Sequence, residues 1–196
     1  MRLSDAEFKA MNGRIRGQLH RRVEFPLLRR LGLSESAGKD VIELGCGNGL
    51  GAELIASLRP RSYVGIDFMP EQIELAKLRA VKDARFLVGD ATHLPELSDQ
   101  SADVVVIFGI LHHIPLWQQA VRECARLLRP QGCLIVEEPD APALRGWDRV
   151  LRWAHPKTGF SLVGLEAQLA STGFRIEKRV RIPGVFGFYR ARRVAS

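Results

Sequence analysis

Cysteine is scarce in this chain and long apolar runs are absent, and each absence excludes a class of protein. Only three of the 196 residues are cysteine and none has the Cys-x-x-Cys spacing, so we expect free thiols rather than a disulfide framework or a zinc site. No apolar run approaches the roughly 18 to 20 residues that cross a bilayer, and no apolar signal segment stands at the amino terminus. We therefore predict a cytoplasmic protein with no bound metal.

The residues that are present suit one ordinary globular domain with an uneven charge. Apolar residues make up 46% of the chain, and the net charge is +7. Residues 1–39 hold nine Lys or Arg against four Asp or Glu, residues 175–193 hold seven against one, and residues 40–174 hold thirteen against seventeen. The acidic middle suits a cationic ligand, whereas the basic ends suit an anionic substrate, nucleic acid or anionic lipid.

The most informative segment is residues 41–49, Val-Ile-Glu-Leu-Gly-Cys-Gly-Asn-Gly, an apolar run that ends in alternating glycines and leads into a helical pattern over residues 50–56. Gly45, Gly47 and Gly49 permit positive φ angles and carry no Cβ, so a flat polar molecule can lie directly on the main chain. The segment therefore predicts a strand, a tight turn and a helix that form a nucleotide-like site.

Three further apolar strands are predicted over residues 62–67, 84–88 and 102–107, and each ends in a polar or glycine-rich tip. Asp67 closes the first, Asp90 follows the second, and Phe108 and Gly109 follow the third. The carboxyl ends of parallel strands line one edge of an open sheet, so we expect Glu43 and these residues to converge in one crevice.

Together these motifs resemble the class I S-adenosylmethionine-dependent methyltransferases. The resemblance rests on ELGCGNG, on GID at the end of the second strand, on GDATHLP after the third, and on the segment from ILHHIP to VEEP around the fourth and fifth. It is close over roughly positions 40 to 140, and its His-His-Ile-Pro region is similar to methyltransferases of quinone biosynthesis and other small-molecule enzymes. It implies an α/β, doubly wound, Rossmann-like sheet of seven strands in the order 3-2-1-4-5-7-6, with strand 7 antiparallel.

The resemblance also implies S-adenosylmethionine as the cofactor and gives the motif residues their roles. Glu43 would orient the methionine amino group, Asp67 would hold the ribose hydroxyls, and Asp90 would accept from the adenine amine. The remaining cofactor contacts are expected from the glycine turn, an apolar adenine wall and the tip of the fourth strand, namely Gly45, Cys46, Gly47, Gly49, Phe68, Met69, Ala91 and Phe108.

His112 and His113 follow the fourth strand, where an acceptor would approach the methyl group. Histidine titrates near neutral pH, so we predict His113 as the general base, with His112 beside it and Glu138 at the end of the fifth strand as the second choice. The structural alternative is that His112 packs towards the sheet and His113 hydrogen-bonds main chain to shape the loop before Pro115. Methyl transfer by positioning alone would then suffice.

Two other functions stay open. A nicotinamide-dependent oxidoreductase also fits Gly47, Gly49 and Ala52, although Glu43 and the missing second nucleotide-binding half disfavour it. A non-catalytic S-adenosylmethionine-binding protein that docks a partner enzyme would carry the same cofactor motifs. For the acceptor, the residues after the fourth strand lack the Asn-Pro-Pro-aromatic signature of base-amine methylation, so we predict a small molecule, apolar or anionic, rather than nucleic acid.

The chain is predicted to form a single domain over residues 1–196 with four parts. These are an N-terminal helical segment (1–39), a cofactor-binding core (40–138), a lid over the crevice (139–160), and a terminal helix with a β-hairpin (161–196). The lid region carries Trp147, Trp153, Phe160 and Leu162, which would either enclose the acceptor or serve as structural packing. Residues 3–31 are predicted as one amphipathic helix with an apolar face of Phe8, Met11, Ile15, Leu19 and Val23.

Overall fold

The computed structural model describes residues 5–151 and 158–194, in which seven strands form one sheet. The strands are β1 Asp40–Leu44, β2 Ser62–Asp67, β3 Ala84–Val88, β4 Ala102–Phe108, β5 Leu128–Pro139, β6 Phe174–Ile182 and β7 Phe186–Arg193. Their order is β3-β2-β1-β4-β5-β7-β6. Strands β1 to β5 pair in parallel, and β7 runs antiparallel to both β5 and β6. The predicted fold class, strand order and direction of β7 are confirmed.

Helices lie on both faces of this sheet. They are α1 Asp5–Met11, α2 Arg14–Leu19, α3 Phe25–Leu31, α4 Leu50–Ala56, α5 Pro70–Lys77, α6 Trp117–Leu127, α7 Ala141–Leu151 and α8 Leu162–Ser171. Short 3-10 turns occur at Leu33–Ser36 and Leu111–His113. Within the described residues, none of these helices has the length and apolar content needed to cross a bilayer.

The sheet separates two apolar cores because successive strand residues point to opposite faces. One core joins Ile107 and Val136 to α6 and α8, and the other joins Val106 and Ile135 to α3 and α4. Central strands that are buried on both faces read as near-continuous apolar runs, as β4 does from Val104 to Phe108 after Asp103 near its start. The three cysteines, Cys46, Cys124 and Cys133, are free and buried.

The N-terminal segment differs from the prediction of one amphipathic helix over residues 3–31. Helix α1 ends before Gly13, and a π-helical turn at His20–Glu24 joins α2 to α3. Ile15, Leu19 and Val23 are 88%, 46% and 56% exposed, so this predicted apolar stripe faces outward. The prediction was wrong because the segment is anchored through α3, whose buried Phe25 and Leu28 set the inward face.

The C-terminal part follows the predicted pattern. Helix α8 begins after Ser161, whose hydroxyl oxygen accepts the Gly164 amide, as an N-cap side chain does. Strands β6 and β7 then form the predicted hairpin, with Ile182 paired to Phe186. The predicted lid is helix α7 followed by residues 152–157, so Trp153 lies outside the described residues.

Candidate cofactor and acceptor site

A cavity of about 390 Å³ lies at the carboxyl edge of the sheet, where β1, β2 and β4 end. Glu43, Asp67, Asp90 and Phe108 all line it, so the four strand tips converge as expected from the parallel arrangement. The other walls come from the glycine turn, the residues after β4, and the N-terminal segment.

The turn after β1 is fixed to the end of β2, because the amides of Gly45 and Cys46 both donate to the Ile66 carbonyl, at 2.7 and 2.9 Å. Gly45, Gly47 and Gly49 all have positive φ. A Cβ on Gly47 would meet nothing within 4 Å, whereas one on Gly45 would lie 2.4 Å from Ile110 and one on Gly49 2.9 Å from Ala76. Gly47 therefore leaves open space beside the main chain, while the other two glycines permit close packing.

Asp67 is held by this turn. Its Oδ2 accepts the Gly47 amide and its Oδ1 accepts the Met69 amide, both at 2.9 Å. Burial raises the pKa of Asp67, and the two amide hydrogen bonds oppose that rise. Each oxygen keeps a further lone pair, so the carboxylate can accept from a pair of neighbouring hydroxyls in the cavity.

The far end of the cavity combines one carboxylate with apolar walls. Asp90 is exposed, and its Oδ1 accepts from both the amide and the hydroxyl of Thr92, at 2.9 and 2.8 Å. Phe68 is 48% exposed, while Met69 and Ala91 are buried. An exposed aromatic ring beside a carboxylate suits a planar ligand that carries an amine.

Glu43 lies below the turn and is almost fully buried. Its Oε2 accepts the Tyr63 hydroxyl at 2.5 Å, and a Cβ on Gly51 would clash with its carboxylate, so the first turn of α4 packs directly on it. Burial raises the pKa of Glu43 to about 8, the charge of Asp67 adds to the rise, and the Tyr63 hydrogen bond opposes it. Within the described residues no Lys, Arg or His pairs with Glu43, so a cationic ligand would favour its ionised form.

The three predicted catalytic residues do not share one position: His112 and Glu138 lie beneath the loop after β4, and His113 lies on its cavity side. Glu138 is fully buried; its Oε1 accepts the amides of Ile110 and Leu111 at 2.8 and 2.7 Å, and its Oε2 contacts His112 Nδ1 at 2.8 Å. Burial raises the pKa of Glu138 to about 8 against these hydrogen bonds. His112 is buried as well, and neither residue lines the cavity, so the pair supports the loop from below.

His113 does line the cavity. Its ring centroid lies 4.0 Å from that of His112, and its Nε2 lies 3.6 Å from Oε1 of Glu7 in α1. Of the three predicted catalytic residues, His113 is therefore the one placed to reach a molecule in the cavity.

Comparisons with known proteins agree with this geometry. A methyltransferase-domain family model matches residues 42–136. A protein of Mycolicibacterium smegmatis named as an S-adenosylmethionine-dependent methyltransferase is 38% identical over 154 residues, which cover 76% of this chain and 56% of that protein. The chain belongs to the class I S-adenosylmethionine-dependent methyltransferases. S-adenosylmethionine is therefore its cofactor, and the sequence-based prediction is confirmed.

The curated relatives are longer than the segment that matches this chain. The phthiotriol/phenolphthiotriol dimycocerosates methyltransferase of Mycobacterium leprae is 35% identical over 119 residues, covering 60% of this chain and 42% of that protein. This methyltransferase thus spans roughly half the length of these curated relatives.

Solved structures share the fold at low identity. An S-adenosylmethionine-dependent methyltransferase from Aquifex aeolicus superposes with a TM-score of 0.78 at 16% identity, covering 98% of this chain and all of that one (100%). The [4+2]-cyclase SpnF superposes with a TM-score of 0.70 at 19% identity, covering 88% and 81%. A cyclase on the same fold shows that the fold alone does not determine the reaction.

Residues of the N-terminal segment complete the methyltransferase cavity and were missed by the sequence analysis. Arg16 and His20 line it, and both contact Glu24: Arg16 Nη1 lies 2.5 Å and His20 Nδ1 2.7 Å from Glu24 Oε2. The His20 ring packs edge-on against Phe108, with centroids 4.9 Å apart. The spacing of Arg16, His20 and Glu24 by four is visible in the sequence, but it does not differ from that of an ordinary solvated helix face.

Glu137 lies beneath this group. It is fully buried, and within the described residues neither carboxyl oxygen has a hydrogen-bond donor; Arg16 Nη2 lies 3.7 Å from Oε1. Burial and the charge of Glu24 raise the pKa of Glu137 well above its ordinary value. His20, Glu24 and Glu137 are close enough to ligate an ion, but His20 and Glu24 hydrogen-bond each other and the Arg16 guanidinium already supplies the positive charge. We therefore interpret the group as an ion-pair network.

The predicted lid aromatics do not line the cavity where the structure describes them. Phe160 and Leu162 belong to the core beside α6, with the Phe160 ring 5.3 Å from that of Trp117. Trp147 packs near Phe186, at 6.2 Å between centroids. For these three residues the structural alternative holds.

Proposed function

We propose that this chain transfers the methyl group of S-adenosylmethionine to a hydroxyl-bearing, largely apolar small molecule by in-line displacement. The observation that carries the proposal is the single cavity in which Glu43, Asp67 and the open main chain at Gly47 face His113 and apolar side chains after β4. One end suits a cationic nucleoside derivative and the other suits an acceptor.

The cofactor fits the chemistry of the lining residues. Asp67 would accept both ribose hydroxyls, and Glu43, which lacks a cation within the described residues, would favour the methionine amino group. Arg16 is the only Arg or Lys that lines the cavity in the described part of the chain, so it would pair with the methionine carboxylate. Asp90 and Phe68 would contact the adenine. The remaining cofactor contacts would come from Gly45, Cys46, Gly47, Met69, Ala91 and Phe108.

For methyl transfer the protein needs mainly to position the acceptor against the methyl group and to exclude water. The bound sulfonium supplies an activated methyl group, and charge disperses as an uncharged or anionic nucleophile attacks it, so an apolar pocket lowers the barrier. Ile110, Ile114 and Leu116 line the proposed acceptor end, where a bound acceptor would displace water from their aliphatic surfaces. His113 would take the proton of the attacking hydroxyl, and the His112–Glu138 pair would hold the loop in place.

The choice of acceptor rests on the pocket and on the relatives. The residues after β4 offer aliphatic walls, and His113 is the one titratable group among them. The Mycobacterium leprae relative is named for dimycocerosates of triols, and such diesters keep one free hydroxyl, which supports a hydroxyl nucleophile. Similarity to quinone-biosynthesis methyltransferases, a cytoplasmic location and the absence of nucleic acid as a substrate remain predictions.

A two-part experiment tests the proposal. We expect S-adenosylmethionine and S-adenosylhomocysteine to raise the melting temperature and NAD to leave it unchanged, because only a ligand that binds the native state stabilises it. We also expect S-adenosylhomocysteine to form when the protein is incubated with a panel of apolar alcohols and phenols. Stabilisation by NAD alone would support an oxidoreductase, and binding without turnover on any acceptor class would support a non-catalytic module.

A further inference from the structure

The outer face of the N-terminal segment combines exposed aliphatic side chains with unpaired cations. Ile15, Leu19 and Val23 are 88%, 46% and 56% exposed, and their spacing by four residues places them along one side of a continuous helical segment, residues 14–31. At about 1.5 Å per residue the stripe is roughly 12 Å long. Three neighbouring large aliphatic side chains that face water require an explanation, since scattered single ones are the norm.

The charges around this stripe are of one sign. Arg14, Arg22, Arg29 and Arg30 are exposed, and none of them forms an ion pair with any residue that the structure describes. The only carboxylate between residues 14 and 31 is Glu24, which is buried and points inward to Arg16 and His20. Arg21 of the same segment pairs with the exposed Glu53 of α4, at 2.9 Å, so the outer face presents aliphatic groups and four arginines that lie outside this ion pair.

We propose that this outer face, defined by Ile15, Leu19, Val23 and the four arginines, docks the protein on a bilayer surface rich in anionic phospholipid. The helical segment would lie in the plane of the interface, with the aliphatic stripe among the acyl chains and the guanidinium groups on the lipid phosphates. A basic helix with an apolar strip and no exposed carboxylate has the composition of such an interfacial segment.

The charge pattern separates a lipid surface from the other occupants. A second copy packed face to face about a two-fold axis would bring arginine against arginine with no carboxylate to compensate. Nucleic acid would satisfy the arginines but leave the aliphatic stripe against phosphate and water. An anionic bilayer satisfies both halves of the face, since it offers phosphate above and hydrocarbon below.

The same segment also forms a wall of the cavity. Arg16 and His20 line the cavity from the inner side of α2 and the π-helical turn, and Met11 and Asn12 line it just before α2. Docking the outer face would therefore hold this wall of the cavity next to the lipid surface. The proposal stands on the surface alone and does not require any particular acceptor.

The test is co-sedimentation of the whole chain with vesicles of phosphatidylcholine, alone or mixed with phosphatidylglycerol. We expect binding to the mixed vesicles only, and weaker binding as salt is added, because the arginines contribute through screened charge. Ile15→Ser combined with Leu19→Ser, and Arg22→Gln combined with Arg30→Gln, should each weaken binding at least tenfold. S-adenosylhomocysteine should still raise the melting temperature of both variants, which shows that they fold.

A matched control uses exposed residues on the opposite face of the sheet. Val163→Ser with Arg122→Gln changes one aliphatic and one arginine side chain on α8 and α6, and should leave vesicle binding unchanged. Equal binding by all variants, equal binding to neutral vesicles, or loss of binding in the control would overturn the proposal. A dimer that Ile15→Ser with Leu19→Ser dissociates, in the absence of vesicle binding, would assign the face to self-association. None of these results would affect the methyltransferase proposal, which is tested by turnover.

Discussion

Carboxylates at the two edges of the sheet have opposite environments: those at the amino edge are paired with arginine, and those at the carboxyl edge are mainly buried. At the amino edge, Asp40 begins β1 and Asp103 lies at the start of β4, and both are neutralised by Arg61 and Arg129. The hydrogen bond from Arg61 is the main cause of a lowered pKa at Asp40. At the carboxyl edge of the same two strands, Glu43 and the segment after Phe108 face the cavity instead.

At the carboxyl edge burial has the larger effect on the carboxylates. It raises the pKa of Glu43 and of Glu138 to about 8, and raises that of Asp67. Glu43 has no protein cation within the described residues, and a buried carboxyl left in this state is costly unless something else is gained. Arginine ion pairs therefore stabilise the amino edge of the sheet. At the carboxyl edge the Glu43 carboxyl has no such partner and is available to a ligand.

His113→Gln should lower turnover by about 100-fold or more, the usual contribution of a general base, and leave the dissociation constant of S-adenosylhomocysteine nearly unchanged. The pH dependence of turnover measured with an accepted substrate should lose its acidic limb. His93→Gln is the control, because His93 is exposed and does not line the cavity. Near-normal turnover of the His113 variant at every pH would leave positioning and water exclusion as the whole mechanism.

Asp67→Ala should weaken S-adenosylhomocysteine binding by about 1.5 to 3 kcal/mol, or roughly 10- to 150-fold, because charge-assisted hydrogen bonds to two hydroxyls are lost. Calorimetry measures the effect directly. The melting temperature of the ligand-free variant serves as the control, since Asp67 also accepts the amides of Gly47 and Met69. An unchanged dissociation constant would place the ribose elsewhere.

Arg16→Gln should weaken S-adenosylhomocysteine binding about tenfold, the effect of one lost charge-assisted hydrogen bond, and leave binding of 5′-methylthioadenosine unchanged because that ligand has no carboxylate. Arg22→Gln, on the outer face of the same segment, should affect neither ligand. Equal weakening for both ligands would mean that Arg16 acts by holding Glu24 and the segment in place.

Glu43→Gln should remove a loss of stability that the native protein shows between about pH 4.5 and pH 8 without cofactor. A carboxyl whose pKa is raised on folding, here from 4.5 to about 8, holds its proton more tightly when folded, so stability falls as pH rises through that range. Glutamine imitates the protonated form. Urea denaturation should give the smallest difference between the two proteins near pH 4.5 and a growing stability advantage of the Glu43→Gln variant towards pH 8, and a constant difference would contradict the assignment.

Asp40→Asn should have the opposite and smaller pH dependence. The pKa of Asp40 is lowered on folding from 3.8, so its contribution is present above that value and is lost as pH falls. We expect about 0.5 to 1 kcal/mol less stability at neutral pH, since the partner Arg61 is largely exposed, and no difference in strong acid. Cofactor affinity should not change, and a change would mean that the two edges are coupled.

The convergence of the strand tips in one cavity could be predicted from sequence because each part is local. The glycine turn, Asp67 and Asp90 each follow an apolar strand within a few residues, and parallel strands bring their ends together without further information. The sequence did not show that the three glycines of the turn have different surroundings. A Cβ on Gly47 would meet open space, whereas a Cβ on Gly45 or Gly49 would clash with a neighbouring residue.

The acceptor half depends on the orientation of elements that are distant in sequence. Glu137 and Glu138 are adjacent, yet strand alternation sends one towards Arg16 and the other under the loop that carries His112. The sequence analysis chose His113 ahead of His112, and of the two only His113 lines the cavity. His112 is held under the loop by its contact with Glu138.

The N-terminal segment shows most clearly which features follow from the sequence and which follow from tertiary packing. The sequence by itself determined that the segment is helical and amphipathic, and it determined the strands and the glycine turn, because hydrophobic period and backbone freedom are local properties. The strand order was expected only from the resemblance to the methyltransferases. Which side of the segment faces the cavity was decided only in the tertiary structure. The π-helical turn at His20–Glu24 adds residues to one turn, and burial of Phe25 and Leu28 in α3 then fixes the rotation that directs Arg16 inward and Ile15 to the surface.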